Sequence, residues 1–425
     1  MEIIRIHVKE FGRVRDSQLD IFPFVIFSGE SGLGKSYMAL LCHYFYEVLV
    51  NTSRLSHFFE QRGSNYQLLS KDFHNEGTAL EIRKEELEKW LAEDAINYVG
   101  MMLGNTSLKG TIDVDLPFVI PATLTFRFKE ELTGLVNDED VNIVLSIADL
   151  NYRVTEAFLG EESPFSFLLR YALIKYIFSD FRALENTIVL PPSRGPVLTE
   201  SLIPQTGIYF QFLQALNRIS PRKDSHAKKL QQLLHDILEG DTERIDNKYV
   251  YKTGNVEIPI SAAAASIREI APLELFVKRG DIVNAALLFE EPEAHLHPLK
   301  QRMMADILSA LANTGTFMQV TTHSDYLISR LNELIVLNEI REKEQDESAF
   351  NEFCKELDIL PELCLSTENL AAYVMERRED GFSTIKQKAD VKGKEISYLT
   401  FSTAIENSMR VQRKLEEKLA ELEER

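Results

Sequence analysis

Cysteine is scarce in this 425-residue chain. The three cysteines, Cys42, Cys354 and Cys364, include no C-x-x-C pair. That excludes a disulfide framework and a zinc-ribbon site, and it suits a reducing compartment. Long apolar runs are missing as well, and none approaches the roughly 20 residues that a membrane-spanning helix needs. Met1 to Val8 reads as an alternating strand, not a secretory leader, so a cytoplasmic location without a membrane partner is expected. Positive charge is also in deficit. Lysine and arginine number 47 against 66 acids, a formal net charge of −19. Wrapping nucleic acid non-specifically takes many Lys and Arg contacts to phosphate, so the charge does not support nucleic acid as a partner. A local patch, Arg222-Lys223 with Lys228-Lys229, is the one exception, and a solvated helix face accounts for it better. Repeats and low-complexity tracts are not evident. What is present is a folded chain, 44% hydrophobic and long enough for more than one core.

The stretch that organises this chain is Gly29-Glu30-Ser31-Gly32-Leu33-Gly34-Lys35-Ser36. It follows the apolar run Phe24 to Phe27 and opens a helical pattern from Tyr37 to Val50. Strand, glycine loop and helix in that order make G-x-x-x-x-G-K-[ST] a phosphate site and not a chance glycine turn. The glycines let successive N–H groups point at phosphate, and the helix adds its partial positive N-terminus. Lys35 supplies a cation and Ser36 an oxygen for Mg²⁺. A nucleoside triphosphate is the expected ligand, with all eight loop residues in contact with it.

Upstream, Ile4, Ile6 and Val8 alternate with polar residues, Phe11-Gly12 breaks the run, and Gln18 to Phe22 forms a second strand. From about Asn51 to Asn186 the pattern is mixed. Leu80 to Leu103 has helical periodicity, Thr111 to Phe128 is strand-like with breaks at Pro117 and Pro121, and Phe165 to Phe181 is helical again. Order returns at Thr187 to Leu190, a buried-strand run that leads into Pro191-Pro192-Ser193-Arg194-Gly195-Pro196. Arg194 at that strand end reads either as a sensor of phosphate or a facing subunit, or as a surface arginine in a turn. Leu230 to Leu238 reads as a helix, and Thr253-Gly254-Asn255 as the turn of a hairpin.

Two further strand ends carry chemistry. Ala285 to Phe289 runs into Glu290-Glu291-Pro292-Glu293, and phosphoryl transfer needs one acid for the metal and another for the attacking water. Neighbours on a strand face opposite ways, so the pair divides that work only if the chain turns, which Pro292 enforces. Glu290 is thereby assigned to Mg²⁺ and Glu291 to the water. A zinc site from Glu293, His295 and His297 is a poorer reading, since histidines two apart share no helix face. Phe317 to Thr322 is another buried strand, and His323 at its end is placed to hydrogen-bond the γ-phosphate. The catalytic set is thus Lys35, Glu291 and His323.

Leu287 to Pro298, with its Phe-Glu-Glu-Pro-Glu-Ala-His-Leu-His-Pro, and Thr322-His323-Ser324-Asp325 resemble the ABC-type ATPases of the OLD-nuclease, RecF and SMC kind, the AAA-15/AAA-21 group. Ala265-Ser266-Ile267-Arg268-Glu269 resembles the end of that group's signature loop. The resemblance covers the N-terminal strands and about Thr187 to Leu337. It implies a homodimer or higher oligomer in which two heads sandwich ATP, each phosphate loop facing the partner's signature loop and its Ser266. Glu291, Glu293 and His323 would lie near that interface. Two departures stand out. The group usually has aspartate where Glu290 stands, and small Ser and Gly where Ala264, Ala265 and Ser266 stand, so hydrolysis is expected to be slow. The glutamine of the group's Q-loop is not identifiable.

The expected fold is α/β: a P-loop head with a mixed sheet flanked by helices, a large mixed insertion and a small C-terminal α+β region. The expected domains are 1–50 and 187–337 for the head, 51–186 for the insertion lobe, and 338–425 for a partner or oligomer contact. In that last part Ala371 to Met375 and Ile396 to Leu399 read as short strands, and the segment from Phe401 reads as helical. The terminal helix carries Val411, Leu415, Leu419 and Leu422 along one face. OLD-type nucleases carry a metal-dependent nuclease after the ATPase, and its motifs are not visible here. The chain is therefore similar to ATPase subunits of two-component phage-defence systems of the PARIS and Septu types, in which the effector nuclease is encoded separately. Two other readings stand beside it: a RecF-like ATPase that clamps DNA, and a scaffold that binds ATP without hydrolysing it.

Overall fold

The computed structural model describes residues 2–61, 80–132, 141–155, 164–180, 184–199, 204–218, 228–245, 248–387, 396 and 408–416. A hairpin of β1 (Arg5–Phe11) and β2 (Val14–Asp20) leads to β3 (Phe24–Gly29), the strand before the phosphate loop. Then follow α1 (Lys35–Val50), α2 (Thr52–Glu60), β4 (Leu80–Arg83), α3 (Lys84–Met102) and β5 (Gly110–Asp115). The periodicity from Leu80 thus begins as strand and turns helical only at Lys84. Next come β6 (Thr123–Leu132), β7 (Val141–Ile147), β8 (Leu150–Thr155) and α4 (Pro164–Phe178). The middle of the chain holds β9 (Asn186–Leu190), α5 (Gly207–Asn217), α6 (Lys228–Leu238), β10 (Asp241–Ile245), β11 (Lys248–Thr253), β12 (Val256–Pro259) and α7 (Ala265–Arg279). Then come β13 (Ala285–Glu290), α8 (Pro298–Asn313), β14 (Phe317–Thr321), α9 (Asp325–Lys343) and α10 (Glu347–Glu356). The strands β15 (Leu370–Arg377) and β16 (Ser383–Gln387) complete the order.

Among the described residues the large sheet has nine strands in the order β5-β1-β2-β16-β15-β3-β14-β13-β9. From β15 to β9 neighbouring strands are parallel, whereas β1 pairs antiparallel with β2 and β5, and β16 with β15. The fold is α/β, a mixed sheet flanked by helices. Stretches far apart in sequence share this sheet. The strand β5 comes from within 51–186, and β15 and β16 come from beyond 337.

The parallel strands read as continuous apolar runs because both of their faces are buried. On β3, Val25 and Phe27 enter a core with α1, α3 and α4, whereas Phe24 and Ile26 enter a second core with α6 to α10. That alternation is the period of two expected of a strand. A four-stranded sheet, β4-β6-β7-β8, lies on the first side, and its Phe126 and Leu145 join the same core as α1. No helix among the described residues is long and apolar enough to cross a membrane. Arg222-Lys223, Phe181, Leu419 and Leu422 lie outside the described residues, as do 397–407, which include most of the Ile396 to Leu399 reading.

Candidate functional site

Five parallel strands end on one edge, and each feeds a loop that carries a polar group. Ligands of open α/β sheets bind beyond such carboxyl ends. After β3 the chain passes through Gly29, Gly32 and Gly34, with φ of 127°, 76° and 102°. Those conformations are strained for any residue with a side chain. Close packing adds a second reason at Gly29, where a Cβ would fall 2.7 Å from the carbonyl oxygen of Met375. No side chain caps the start of α1, so its first N–H groups stay directed at the loop.

Lys35 is buried, and its Nζ donates to the carbonyls of Gly29 (3.0 Å) and Glu30 (2.8 Å). Burial lowers its pKa to about 8, against the raising influence of Glu291, Glu293, Glu290 and Glu30. A cation held by backbone carbonyls in a loop of N–H donors is a phosphate group's complement. The remaining loop residues frame it. Ser31 is exposed, Leu33 is buried, and the Leu33 carbonyl accepts from Ser383 Oγ at 2.7 Å. Glu30 pairs with Arg377 at 3.7 Å, and the Gly32 carbonyl accepts from Arg13 at 3.4 Å.

The acidic strand comes from far along the chain and meets this loop directly. Ser36 Oγ donates to Glu290 Oε2 in a short hydrogen bond. Glu290 is only 4% exposed, and burial raises its carboxyl to about 7, with the Ser36 hydroxyl pulling the other way. A hydroxyl and an undercompensated buried carboxylate beside a phosphate loop are the oxygen donors that Mg²⁺ takes, so these residues fit that ion. At Glu291 the backbone turns left-handed, with φ 45°, and its N–H returns to the Thr321 carbonyl at 3.0 Å. The turn expected from Pro292 therefore begins one residue earlier. It frees the Glu291 carboxylate, 44% exposed, from the face that holds Glu290.

His323 completes the group. Its Nδ1 lies 3.4 Å from Lys35 Nζ and its Nε2 lies 3.7 Å from Glu291 Oε1. Burial and the neighbouring Lys35 lower its pKa, so the imidazole is held neutral and can donate or accept. Its position follows from the sheet, since Thr322 N–H bonds to the Phe27 carbonyl at 2.9 Å and brings the end of β14 over β3.

Two predicted residues stand apart from this group. Arg194 lies inside the core and away from the surface. It is fully buried and donates to the carbonyls of Glu269 (2.6 Å), Pro191 (3.0 Å) and Glu290 (3.0 Å), with its guanidinium 4.7 Å from the Phe289 ring. The surface arginine of the alternative reading is thereby corrected: from inside the core, Nε and Nη1 brace the end of β13, while Nη2 has no hydrogen-bond partner among the described residues. Ser266 sits in the first turn of α7, whose N-cap Ala264 offers no side-chain cap. Among the described residues it forms no hydrogen bond to the phosphate-loop group. The helix itself is anchored by Glu269, which accepts from the backbone N–H groups of Arg194 and Gly195, both at 3.0 Å. Sequence reasoning did not give Ser383 a role, since nothing local links it to Leu33.

Residues 198–328 match the AAA ATPase domain family, AAA_15. That span includes α7, β13 and His323 but not the phosphate loop, which the fold supplies. Among solved structures the chain is similar to an SMC head bound to the C-winged helix domain of ScpA, at 14% identity and a TM-score of 0.38, covering 92% of this chain and 98% of that one. It is also similar to the SMC head domain from Thermotoga maritima, at 10% identity and a TM-score of 0.35, covering 91% and 99%. A Smc head domain from Pyrococcus furiosus, bound to the C-terminal domain of ScpA, gives 11% identity and a TM-score of 0.36 over 97% and 99%. No curated protein matches this chain.

Proposed function

We propose that the chain is an ATPase that binds ATP between two copies of itself and hydrolyses it slowly. The observation that carries this reading is the contact of Ser36 with Glu290, which joins a phosphate loop to the acidic strand of a segment matching an AAA ATPase domain. Lys35 and the loop N–H groups bind the phosphates. Ser36 and Glu290 would hold Mg²⁺, which supplies charge neutralisation at the β- and γ-phosphates. Glu291 takes the proton of the attacking water as its oxygen bonds to the γ-phosphorus and the bond to the β–γ bridging oxygen breaks. His323 reads the γ-phosphate from beside Lys35. The exposed Glu291 carboxylate and the uncapped start of α7 are the faces that a second copy would close, with its Ser266 completing the site.

At the level of biology, the reading is a sensor that controls a separately encoded effector, a nuclease in anti-phage defence. Its support is the family resemblance and the excess of negative charge, which suits a protein partner better than direct DNA clamping.

The test compares wild type with Glu291→Gln and Lys35→Ala for ATP turnover and for mass in solution. Wild type is expected to turn over, Glu291→Gln to accumulate an ATP-bound dimer or larger assembly, and Lys35→Ala to bind no ATP. A wild type that binds ATP yet matches Glu291→Gln with negligible turnover would favour the non-hydrolysing scaffold. Binding of DNA that weakens steeply with salt would favour the clamp.

A further inference from the structure

Glu293 is 9% exposed, and a buried carboxylate is costly unless hydrogen bonds compensate it. Burial raises its pKa, while the backbone N–H of His323, at 2.6 Å, pulls it back first, followed by its own backbone N–H and the Thr322 side chain. The next residue is pinned as well. Ser324 caps α9 by accepting from Leu327 N–H at 3.0 Å, and its hydroxyl donates to Gln301 Oε1 at 2.5 Å. Gln301 in turn donates to the Leu296 carbonyl at 2.9 Å. The segment after the acidic strand therefore grips the chain at His323 and just beyond it, leaving the imidazole between Lys35 and Glu291.

We infer that Glu293 is a positioning residue, whose carboxylate fixes the His323 backbone so that the imidazole bridges the phosphate-loop lysine and the acid that polarises water. The inference rests on the ATPase reading above. Glu293 makes no hydrogen bond to Lys35, Ser36 or Glu290 among the described residues, so its direct contact with the site runs through the His323 backbone, while its charge also acts on Lys35.

Glu293→Ala removes the acceptor, and Glu293→Gln keeps one of the same length. Glu293→Ala is expected to lower kcat by about 10- to 100-fold, the scale of a small misplacement of a catalytic group. KM should change less than kcat, because Lys35 and the phosphate-loop N–H groups keep their places and lose only the charge of Glu293. Glu293→Gln should stay close to wild type. In a His323→Ala background, Glu293→Ala should cost nothing further, as expected of two residues acting as one unit. Equal losses in both backgrounds, or a Glu293→Gln variant as impaired as Glu293→Ala, would overturn the assignment. Should Glu293→Ala not fold, Glu293→Asp takes its place, since the shorter acid withdraws the acceptor.

A second measurement is independent of turnover. In protein labelled with ¹⁵N-histidine, the His323 amide is the resonance lost in His323→Ala, and its short bond to a carboxylate places it far downfield. Glu293→Ala and Glu293→Asp should move it upfield, and Glu293→Gln should leave it near its place. An unmoved resonance in Glu293→Ala would sink the positioning role even if wild type turned over ATP. A moved resonance in a protein without turnover would sink the ATPase reading and keep the contact.

Discussion

At the scale of single residues, the site stores two buried charges that water would otherwise solvate. Glu290 titrates near 7 instead of 4.5, and Lys35 near 8 instead of 10.5. In the nucleotide-free protein, ATP affinity in the presence of Mg²⁺ should tighten as pH rises through 7 and Glu290 ionises. It should weaken above pH 8 as Lys35 loses its proton. Titration with a fluorescent ATP analogue across that range would show a maximum between the two values, and a flat profile would count against both assignments. The stability consequences have opposite signs. Between 4.5 and 7 the folded state holds a Glu290 proton that the unfolded state has released, so stability falls as pH rises through that window. Between 8 and 10.5 the unfolded state keeps a Lys35 proton that the folded state has lost, so stability climbs there. Glu290→Gln should therefore melt a few degrees above wild type at pH 8, with the gain shrinking toward pH 5, while Mg²⁺-dependent ATP binding is lost. Such a trade of stability for function is common at active sites.

At the scale of elements, the phosphate loop depends on strands that are remote in sequence. The strand β15 lies beside β3, close enough that Gly29 admits no side chain against Met375, and Ser383 at the start of β16 holds the Leu33 carbonyl. On the other flank, Arg194 ties β13 to α7 and to the loop after β9. Arg194→Ala would strand three carbonyls and leave the buried Glu269 carboxylate with its two backbone donors but no cation, a loss on the order of 3–5 kcal/mol for a broken buried charge pair. Urea unfolding should register that loss, whereas the folded fraction should bind ATP with nearly unchanged affinity. A selective loss of ATP affinity without destabilisation would favour Arg194 as a phosphate sensor. The hairpins at β1–β2 and β11–β12, the helix after the phosphate loop and the four apolar strands β3, β9, β13 and β14 were all legible in sequence. All are specified by local periodicity, and the two hairpins also by a glycine turn at Gly12 or Gly254. The strand β4 was misread because its four residues continue into α3 without a turn signal.

At the scale of the whole molecule, one sheet unites segments from both ends of the chain. The terminal helix at 408–416 is outside that union: all nine residues are exposed, including Met409, Val411 and Leu415. A chain with Val411→Ser and Leu415→Ser should therefore melt within about a degree of wild type, as surface changes remote from packing usually do. Its mass with ATP, measured by light scattering, should equal that of wild type if assembly runs through the nucleotide, and should fall if the helix joins copies. The sequence by itself determined the chemistry available: a glycine loop, Lys35 and Ser36, a pair of acids, and a histidine at a strand end. Such motifs are read from short spacings, because backbone turns and strand ends depend on neighbouring residues. Only the tertiary structure decided which of these groups meet, that Glu290 faces Ser36 while Glu291 turns away, and that Arg194 is buried. Those outcomes depend on strand order and burial, which are set by packing between distant segments.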